Sequence, residues 1–434
     1  MTITIIGAGY VGLVTAAVFS DLGNKVFCVD ISKRKIDDLK KAKIPFFEPS
    51  LPEYIERNIK SKRLTFTTSY KDSVTKSQAV FICVGTPPKE NGEADLSYLF
   101  SAVEETAKNL SSYTLIIIKS TIPIGFEDDL EATVKKNAKV KFEFAASPEF
   151  LREGSAIEDT LNPDRIVIGS SSKKAQKILL ELHAPISGQR IICDIRSAQL
   201  VKYGANALLA TKVSFANALA TLCEKMGANV TMVMKGIGAD KRIGPAFLYP
   251  GVGYGGSCLP KDVLAFIAQA NRFDYNFELL KTVDSINKDQ IERFINKIRS
   301  SLGASGKQKK NLEGTKVAIL GLSFKPNTDD MRDAPSIKII NSLLDLKAEV
   351  VAYDPKAIEN CKKIIPQIHY AHDEYDAIAG ADAMAIVTEW PQFHQINLSR
   401  AKKLLKRPII VDGRNIYDPA KIRDLGFKYV GIGQ

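Results

Sequence analysis

Cysteine, histidine and tryptophan are scarce: 434 residues hold six Cys, four His and one Trp. The cysteines (Cys28, Cys83, Cys193, Cys223, Cys258 and Cys361) form no CxxC and no pair with zinc-ligand spacing. That excludes a zinc module, and the usage fits reduced thiols in a cytoplasm. His369 and His372 stand three apart without a second ligand pair, so no metal is expected. Long apolar runs are also missing. A membrane helix needs about 20 apolar residues, and the run Leu115 to Ile118 stops at Lys119. No membrane span is expected. The chain enters a strand pattern at once, MTITIIGAGYVG, with no basic n-region and no cleavage site. No secretory signal is expected. A basic arm is lacking as well. The formal charge is +11, from 60 Lys+Arg against 49 Asp+Glu, but the basic residues are dispersed among acidic ones. No nucleic-acid partner is expected. With 45% hydrophobic and 25% charged residues the composition is globular, and the length suggests roughly three domains.

Up to about residue 196, apolar runs alternate with helical stretches. TITIIG, KVFCVD, AVFICVG, TLIIIKST, FEFAASPE and RIVIG read as buried strands. Several are nearly continuous Val/Ile runs, as in a sheet covered on both faces. The alternation predicts an α/β fold with a doubly wound parallel sheet. From 197 to 298 the strand signal disappears. SAQLVKYGANALLATKVSFANALATLCEKMG keeps helical apolar spacing over some thirty positions. It predicts a long central helix whose broad apolar coverage also meets a second copy, giving a homodimer. RSSLGASGKQKKNLEGTK reads as a solvated linker, 299–315. From 316 to 434, KVAILGL, AEVVAYDP, AMAIVTEW, PIIVDG and KYVGIG read as a second, degenerate Rossmann-like domain.

Gly7, Gly9 and Gly12 form GxGxxG between the strand TITII and a helix. Gly7 permits the tight turn, Gly9 lets the backbone approach a pyrophosphate, and Gly12 allows close helix–strand packing. Asp30 ends the second strand, where its carboxylate accepts from a ribose 2′-OH and repels a 2′-phosphate. NAD is the expected cofactor. The C-terminal copy keeps Gly321 but has Ser323 and Phe324 where further glycines are needed. Only the N-terminal half is expected to bind a dinucleotide.

FLYPGVGYGGSCLPKDVLAFIAQA runs from a glycine-rich loop into a helix with Ser257 as N-cap and Pro260 in its first turn. Cys258 lies at that helix start, where free amides and the dipole favour a thiolate, and Lys261 adds positive charge. Asp262 falls on the same helical face. Gly251, Gly253, Gly255 and Gly256 let backbone amides approach a ligand. The other five cysteines read as small buried hydrophobes.

GAGYVG, SPEFLREG, KYGANA and GGSCLPKD, in this order along the chain, resemble the nucleotide-sugar dehydrogenases of the UDP-glucose/GDP-mannose dehydrogenase family. The resemblance covers nearly the whole chain, and GGSCLPKD is its most specific motif. It implies NAD, a UDP-sugar, a dimer built on the long helix, and oxidation of a primary alcohol to a carboxylate. Such an oxidation loses two hydrides. A cysteine that traps the aldehyde as a thiohemiacetal, then as a thioester, gives the second hydride a donor.

The resemblance implies further roles. Lys202, four residues before Asn206 in LVKYGANA, steadies the alkoxide and oxyanion, and Asn206 orients the substrate. Glu149 is the acid/base for thioester hydrolysis, with Glu153 near the nicotinamide or substrate. Thr121, read as the end of a strand, holds a catalytic water with Asp262. Arg242, Lys325 and Arg414 meet the phosphates and sugar, Arg242 in a neighbouring subunit's site. Phe247, Tyr249, Gly251, Gly253 and Gly255 line the nucleotide, and Phe150 and Leu151 join the substrate set. Tyr10, Val11, Lys35, Thr86, Lys261 and Arg332 complete the cofactor set. The C-terminal half is then the UDP domain, facing NAD across a cleft. FLYPGVGYGGSC is closest to the UDP-glucose version, with GDP-mannose or another UDP-sugar as the alternative. A two-electron hydroxyacid dehydrogenase would lack the cysteine loop, and a non-catalytic protein would have no use for it.

Overall fold

The computed structural model describes residues 1–304 and 311–434. They form two compact units: residues 1–205 with 264–275, and residues 206–263 with 276–434.

The first unit holds eight strands: β1 (Thr2–Ile6), β2 (Lys25–Val29), β3 (Leu64–Thr67), β4 (Ala79–Ile82), β5 (Thr114–Ile118), β6 (Phe142–Ala146), β7 (Arg165–Gly169) and β8 (Gln189–Cys193). Their order is β3-β2-β1-β4-β5-β6-β7-β8. All pairings are parallel except the β6–β7 bridge, Ala146 opposite Gly169. The register sets Ile5 beside Cys28 on one side and Phe81 on the other. Every residue of β4 and β5 is buried, because helices cover both faces. Ile3 and Ile5 join one core layer, Ile6, Val80 and Ile82 the opposite one, as the two-residue strand period requires.

The second unit repeats the plan with six strands: β9 (Lys316–Leu320), β10 (Glu349–Tyr353), β11 (His369–Tyr370), β12 (Ala383–Ile386), β13 (Ile409–Asp412) and β14 (Lys428–Val430), in the order β11-β10-β9-β12-β13-β14. Both sheets thus share the 3-2-1-4-5-6 winding, in which the strand order reverses beside the first strand. Val317 and Ile319 enter one core layer, Ala318 and Leu320 the other.

The central helix is real and long, Ile195–Met226. A second long helix, Glu278–Ser301, continues into the stretch read as a linker from Arg299. Residues 305–310 of that stretch lie outside the described residues. Among the described residues no helix is long and apolar enough to cross a membrane.

Candidate active site

In the first unit, β1 ends at Ile6 and the fingerprint helix Tyr10–Asp21 begins four residues on. Gly7 sits at φ +100°, and a Cβ there would lie 2.8 Å from the Cys83 carbonyl oxygen. A Cβ on Gly12 would lie 1.8 Å from the Gly7 carbonyl oxygen. Gly9 has nothing within 4 Å of such a Cβ. Two glycines therefore serve packing, and the third leaves open room where a pyrophosphate would approach. Gly9 is also the N-cap and contributes no side-chain acceptor, so the first-turn amides suit an anion. Asp30 follows β2. Its carboxylate accepts from the Ala8 amide at 2.9 Å, the Ser32 amide at 3.0 Å and the Lys35 ammonium at 2.9 Å. Burial opposes its ionisation, but these donors outweigh it and hold the carboxyl below its ordinary range. The residues fit a dinucleotide with a free 2′-OH.

Other members of the expected cofactor set have partners within the first unit. The Tyr10 hydroxyl bonds Glu48, and its ring lies 4.8 Å from that of Phe46. Val11 packs against the core. Thr86 donates to the Thr121 carbonyl at 3.0 Å, fastening the loop after β4 to the loop after β5. Thr121 lies three residues beyond the end of β5, in that loop rather than on the strand.

Glu149 and Glu153 share no helix. Both lie in the irregular segment after β6, so their spacing of four has no helical meaning. Glu149 is buried and accepts from the Lys202 ammonium at 2.9 Å, with the two side chains only 7% and 4% exposed. Its other oxygen accepts from the Leu151 amide at 2.5 Å. Desolvation pushes the Glu149 carboxyl up, yet Lys202, Leu151 and Lys119 together hold it below its ordinary value. Burial lowers the Lys119 ammonium. Phe150 stacks under the Arg165 guanidinium, 3.7 Å from ring centroid to carbon, and Leu151 packs on the core. Both side chains thus have packing partners within the first unit. Glu48 and Lys119 had no sequence signal: Glu48 lies between elements, where periodicity is silent. It is 3% exposed and accepts from the amides of Gly154 and Ala156, anchoring the Glu149–Glu153 segment.

Cys258, in the second unit, immediately precedes the helix Leu259–Arg272. The Asp262 amide donates to the Cys258 carbonyl at 2.9 Å, so Cys258 and not Ser257 is the N-cap. The Ser257 hydroxyl lies 3.5 Å from the Cys258 sulfur. Asp262 is 2% exposed and accepts from the Asn206 amide at 2.6 Å. Its other oxygen pairs with Lys261, so the positive charge expected to favour the thiolate is offset by its neighbour.

The loop glycines have protein neighbours. A Cβ on Gly255 would lie 2.1 Å from the Asp333 carbonyl, on Gly253 2.8 Å from Asn287, and on Gly256 2.6 Å from the Phe324 ring. On Gly251 it would lie 3.0 Å from the Gly413 carbonyl and 3.2 Å from Arg414. Close packing, more than ligand approach, demands them. Asn217 and Gln290 hold Gly251, and Asn287 holds Tyr254. Phe247 takes φ +65°, a strained value for a side chain of its size, and Tyr249 is exposed. Arg414 donates to the Val387 carbonyl and pairs with Glu389. Lys325 lies 5.5 Å from the Phe324 ring centroid, so Lys325 and Arg414 converge on the same loop. Arg242 and Arg332 are exposed and paired with Asp240 and Asp330. Asp354, which occupies in this half the place of Asp30, is 1% exposed. It accepts from the amides of Leu322, Ser323, Lys356 and Ala357 and from the Trp390 indole. A ribose would find that acid already engaged.

Three models of one family match the chain in succession. The NAD-binding domain of the UDP-glucose/GDP-mannose dehydrogenase family covers residues 1–187, its central domain 196–289 and its UDP-binding domain 318–419. A UDP-glucose 6-dehydrogenase of Rhizobium meliloti is 44% identical, with all of both chains covered. One from Bacillus subtilis is 42% identical over all of this chain and 93% of its own. The solved UDP-glucose dehydrogenase of Pyrobaculum islandicum superposes with a TM-score of 0.92 at 34% identity, covering 100% of this chain and 97% of that one. With a glycine fingerprint shaped for NAD in one sheet domain and a cysteine at a helix start in the other unit, the chain belongs to the UDP-glucose/GDP-mannose dehydrogenase family.

Proposed function

We propose that the chain oxidises UDP-glucose to UDP-glucuronate, consuming two NAD⁺ and one water and releasing two NADH and three protons. The observation that carries this reading is the cysteine N-cap at Cys258 together with the buried Lys202–Glu149 pair. Held by the Gly7–Gly12 turn and Asp30, the dinucleotide would supply the hydride acceptor for each of two rounds. Cys258 adds to the aldehyde left by the first round and, after the second, holds the sugar as a thioester. The Lys202 ammonium opposes the negative charge that builds on the sugar oxygen in both rounds. Glu149, held ionised by Lys202, is suited to accept a proton from the water that attacks the thioester. Thr121 and Asp262 hold that water, and Asn206, fastened to Asp262, orients the sugar. Glu153 lies on the same segment as Glu149. Phe247, Tyr249, Gly251, Gly253, Gly255, Lys325 and Arg414 receive the sugar nucleotide, and Lys35, Thr86, Lys261 and Arg332 border the dinucleotide. The deciding experiment is incubation with UDP-glucose and NAD, with NADH counted per sugar and the product identified. Two NADH and UDP-glucuronate are expected; one NADH and a free aldehyde reject the reading, and a preference for GDP-mannose moves the substrate.

The same proposal includes three successive parts, 1–196, 197–298 and 316–434, and a cytoplasmic setting, which suits a reactive thiol. It also includes a homodimer. Leu200, Leu208, Phe215 and Leu222 are exposed along the central helix at spacings of eight, seven and seven. That period makes a continuous apolar seam. Arg242, exposed beside it in sequence, would then serve the neighbouring copy. Phe215→Glu is expected to halve the mass seen by sedimentation; a wild type that sediments as a monomer removes the dimer.

Asp30→Ala is expected to weaken NADH binding about tenfold to a hundredfold, since hydrogen bonds to a charged group contribute about 1.5–3 kcal/mol. It also releases Lys35 from its partner, leaving an ammonium where a 2′-phosphate would sit. NADPH affinity is therefore expected to rise. Fluorescence titration of both nucleotides checks this, and unchanged affinities for both would strip Asp30 of its role.

A further inference from the structure

Gln199 lies three residues before Lys202 on the central helix and is 5% exposed. Among the described residues neither its amide oxygen nor its amide nitrogen has a hydrogen-bond partner. Folding penalises such a group strongly unless something meets it. Gln199 lines a small cavity of about 10 Å³ together with Ser120, Thr121, Pro148 and Lys202. A space of about 10–15 Å³ admits one water and nothing larger, and a buried water needs two to four polar partners. The Ser120 hydroxyl already donates to the carbonyls of Ile82 and Val84, so it turns only a lone pair toward other donors. Lys202 donates to Glu149, and an ammonium with three hydrogens can serve more than one acceptor.

We infer that Gln199 anchors one ordered water in this cavity, and through it positions the Lys202 ammonium and the loop that carries Thr121. The water accepts from Lys202 and donates to the Ser120 or Thr121 oxygen, and either orientation of the Gln199 amide offers it a further partner. It is a fixed water, not the one consumed. Gln199 is thus a positioning residue, and what it positions rests on the function proposed above; the water site itself does not.

A crystal structure of the full chain at a resolution that shows waters is expected to place one within hydrogen-bond distance of the Gln199 amide and of Lys202 Nζ. A dry cavity overturns the inference, whatever the substrate proves to be. Gln199→Leu keeps a similar volume and removes the anchor. Its kcat on UDP-glucose is expected to fall roughly tenfold or more, with KM for both substrates nearly unchanged, because Lys202 acts on charge that develops only in the transition state. If Gln199 were merely an unpaired buried amide, Leu would raise the melting temperature and leave kcat alone, and that result also overturns the inference. A wild type inactive on UDP-glucose counts against the proposed function, and the water density then decides the site by itself.

Discussion

Cys258→Ser is expected to bind NAD as the wild type does while losing turnover by at least about a thousandfold, the scale on which removing a catalytic nucleophile acts. The exchange replaces one atom at the N-cap of the helix Leu259–Arg272, and serine is itself a favoured N-cap. The fold and the glycine fingerprint of the first unit are therefore expected to be left unchanged. What changes is the nucleophile: a hydroxyl at a helix start stays protonated where a thiol there is drawn toward thiolate. The aldehyde formed by the first hydride loss then has no sulfur to hold it, and the second oxidation stops. NADH per sugar is expected to fall toward one in the slow residual reaction, and mass spectrometry of the intact protein is expected to find no sugar adduct. A serine variant that still delivered two NADH per sugar at an undiminished rate would remove the thioester from the pathway.

Lys202→Met carries the second large effect, on stability and rate together. The substitution keeps an unbranched side chain but leaves the Glu149 carboxylate buried beside an apolar tip. Breaking a buried ion pair from one side costs about 3–5 kcal/mol. The cost depends on pH with a defined sign. In the wild type the folded-state pKa of Glu149 is depressed, so the pair's contribution is present above the carboxyl's unfolded value and is lost as pH falls through the folded one. In the variant, desolvation is opposed only by Leu151 and Lys119, and the folded-state pKa rises above the unfolded value. The variant is then penalised in neutral solution and relieved in acid. The gap in melting temperature between wild type and variant is expected to narrow from pH 8 to pH 5. A gap that stays constant would mean that Glu149 does not feel Lys202. Turnover is expected to fall by about a hundredfold to a thousandfold, the loss seen when one donor to a developing oxyanion is removed.

The parts of this molecule that a linear reading reaches are those whose geometry is local. The fingerprint Gly7–Gly12 and Asp30 belong to one strand–helix–strand unit, so order along the chain fixes their roles. The buried strands β1, β2, β4 and β5 announce themselves as unbroken apolar runs. The strands that were not read, β3, β8 and β11, are all at sheet edges. There one side faces solvent and the residues mix, as in QRIIC and the two-residue HY. The site was legible as a set of residues but not as a set of contacts. Along the chain Lys202 stands four residues before Asn206, and Glu149 four before Glu153. The side chains pair instead as Lys202 with Glu149 and Asn206 with Asp262, 53 and 56 residues apart. Such pairings are decided by how loops fold back on a helix, which no local period records. The glycines around Cys258 show the same limit: Asp333, Asn287 and Phe324 explain them, and all lie far along the chain.

The two halves share a winding, and their first glycines share a task. A Cβ on Gly321 would strike Thr388 just after β12, as one on Gly7 would strike Cys83 just after β4. They part at the acid. Asp354 is spent on the turn after β9 and on Trp390, so restoring glycines at Ser323 and Phe324 would not by itself open a second dinucleotide pocket. Any molecule that settles on this half must find its handholds on side chains other than the carboxylate that would otherwise greet a ribose.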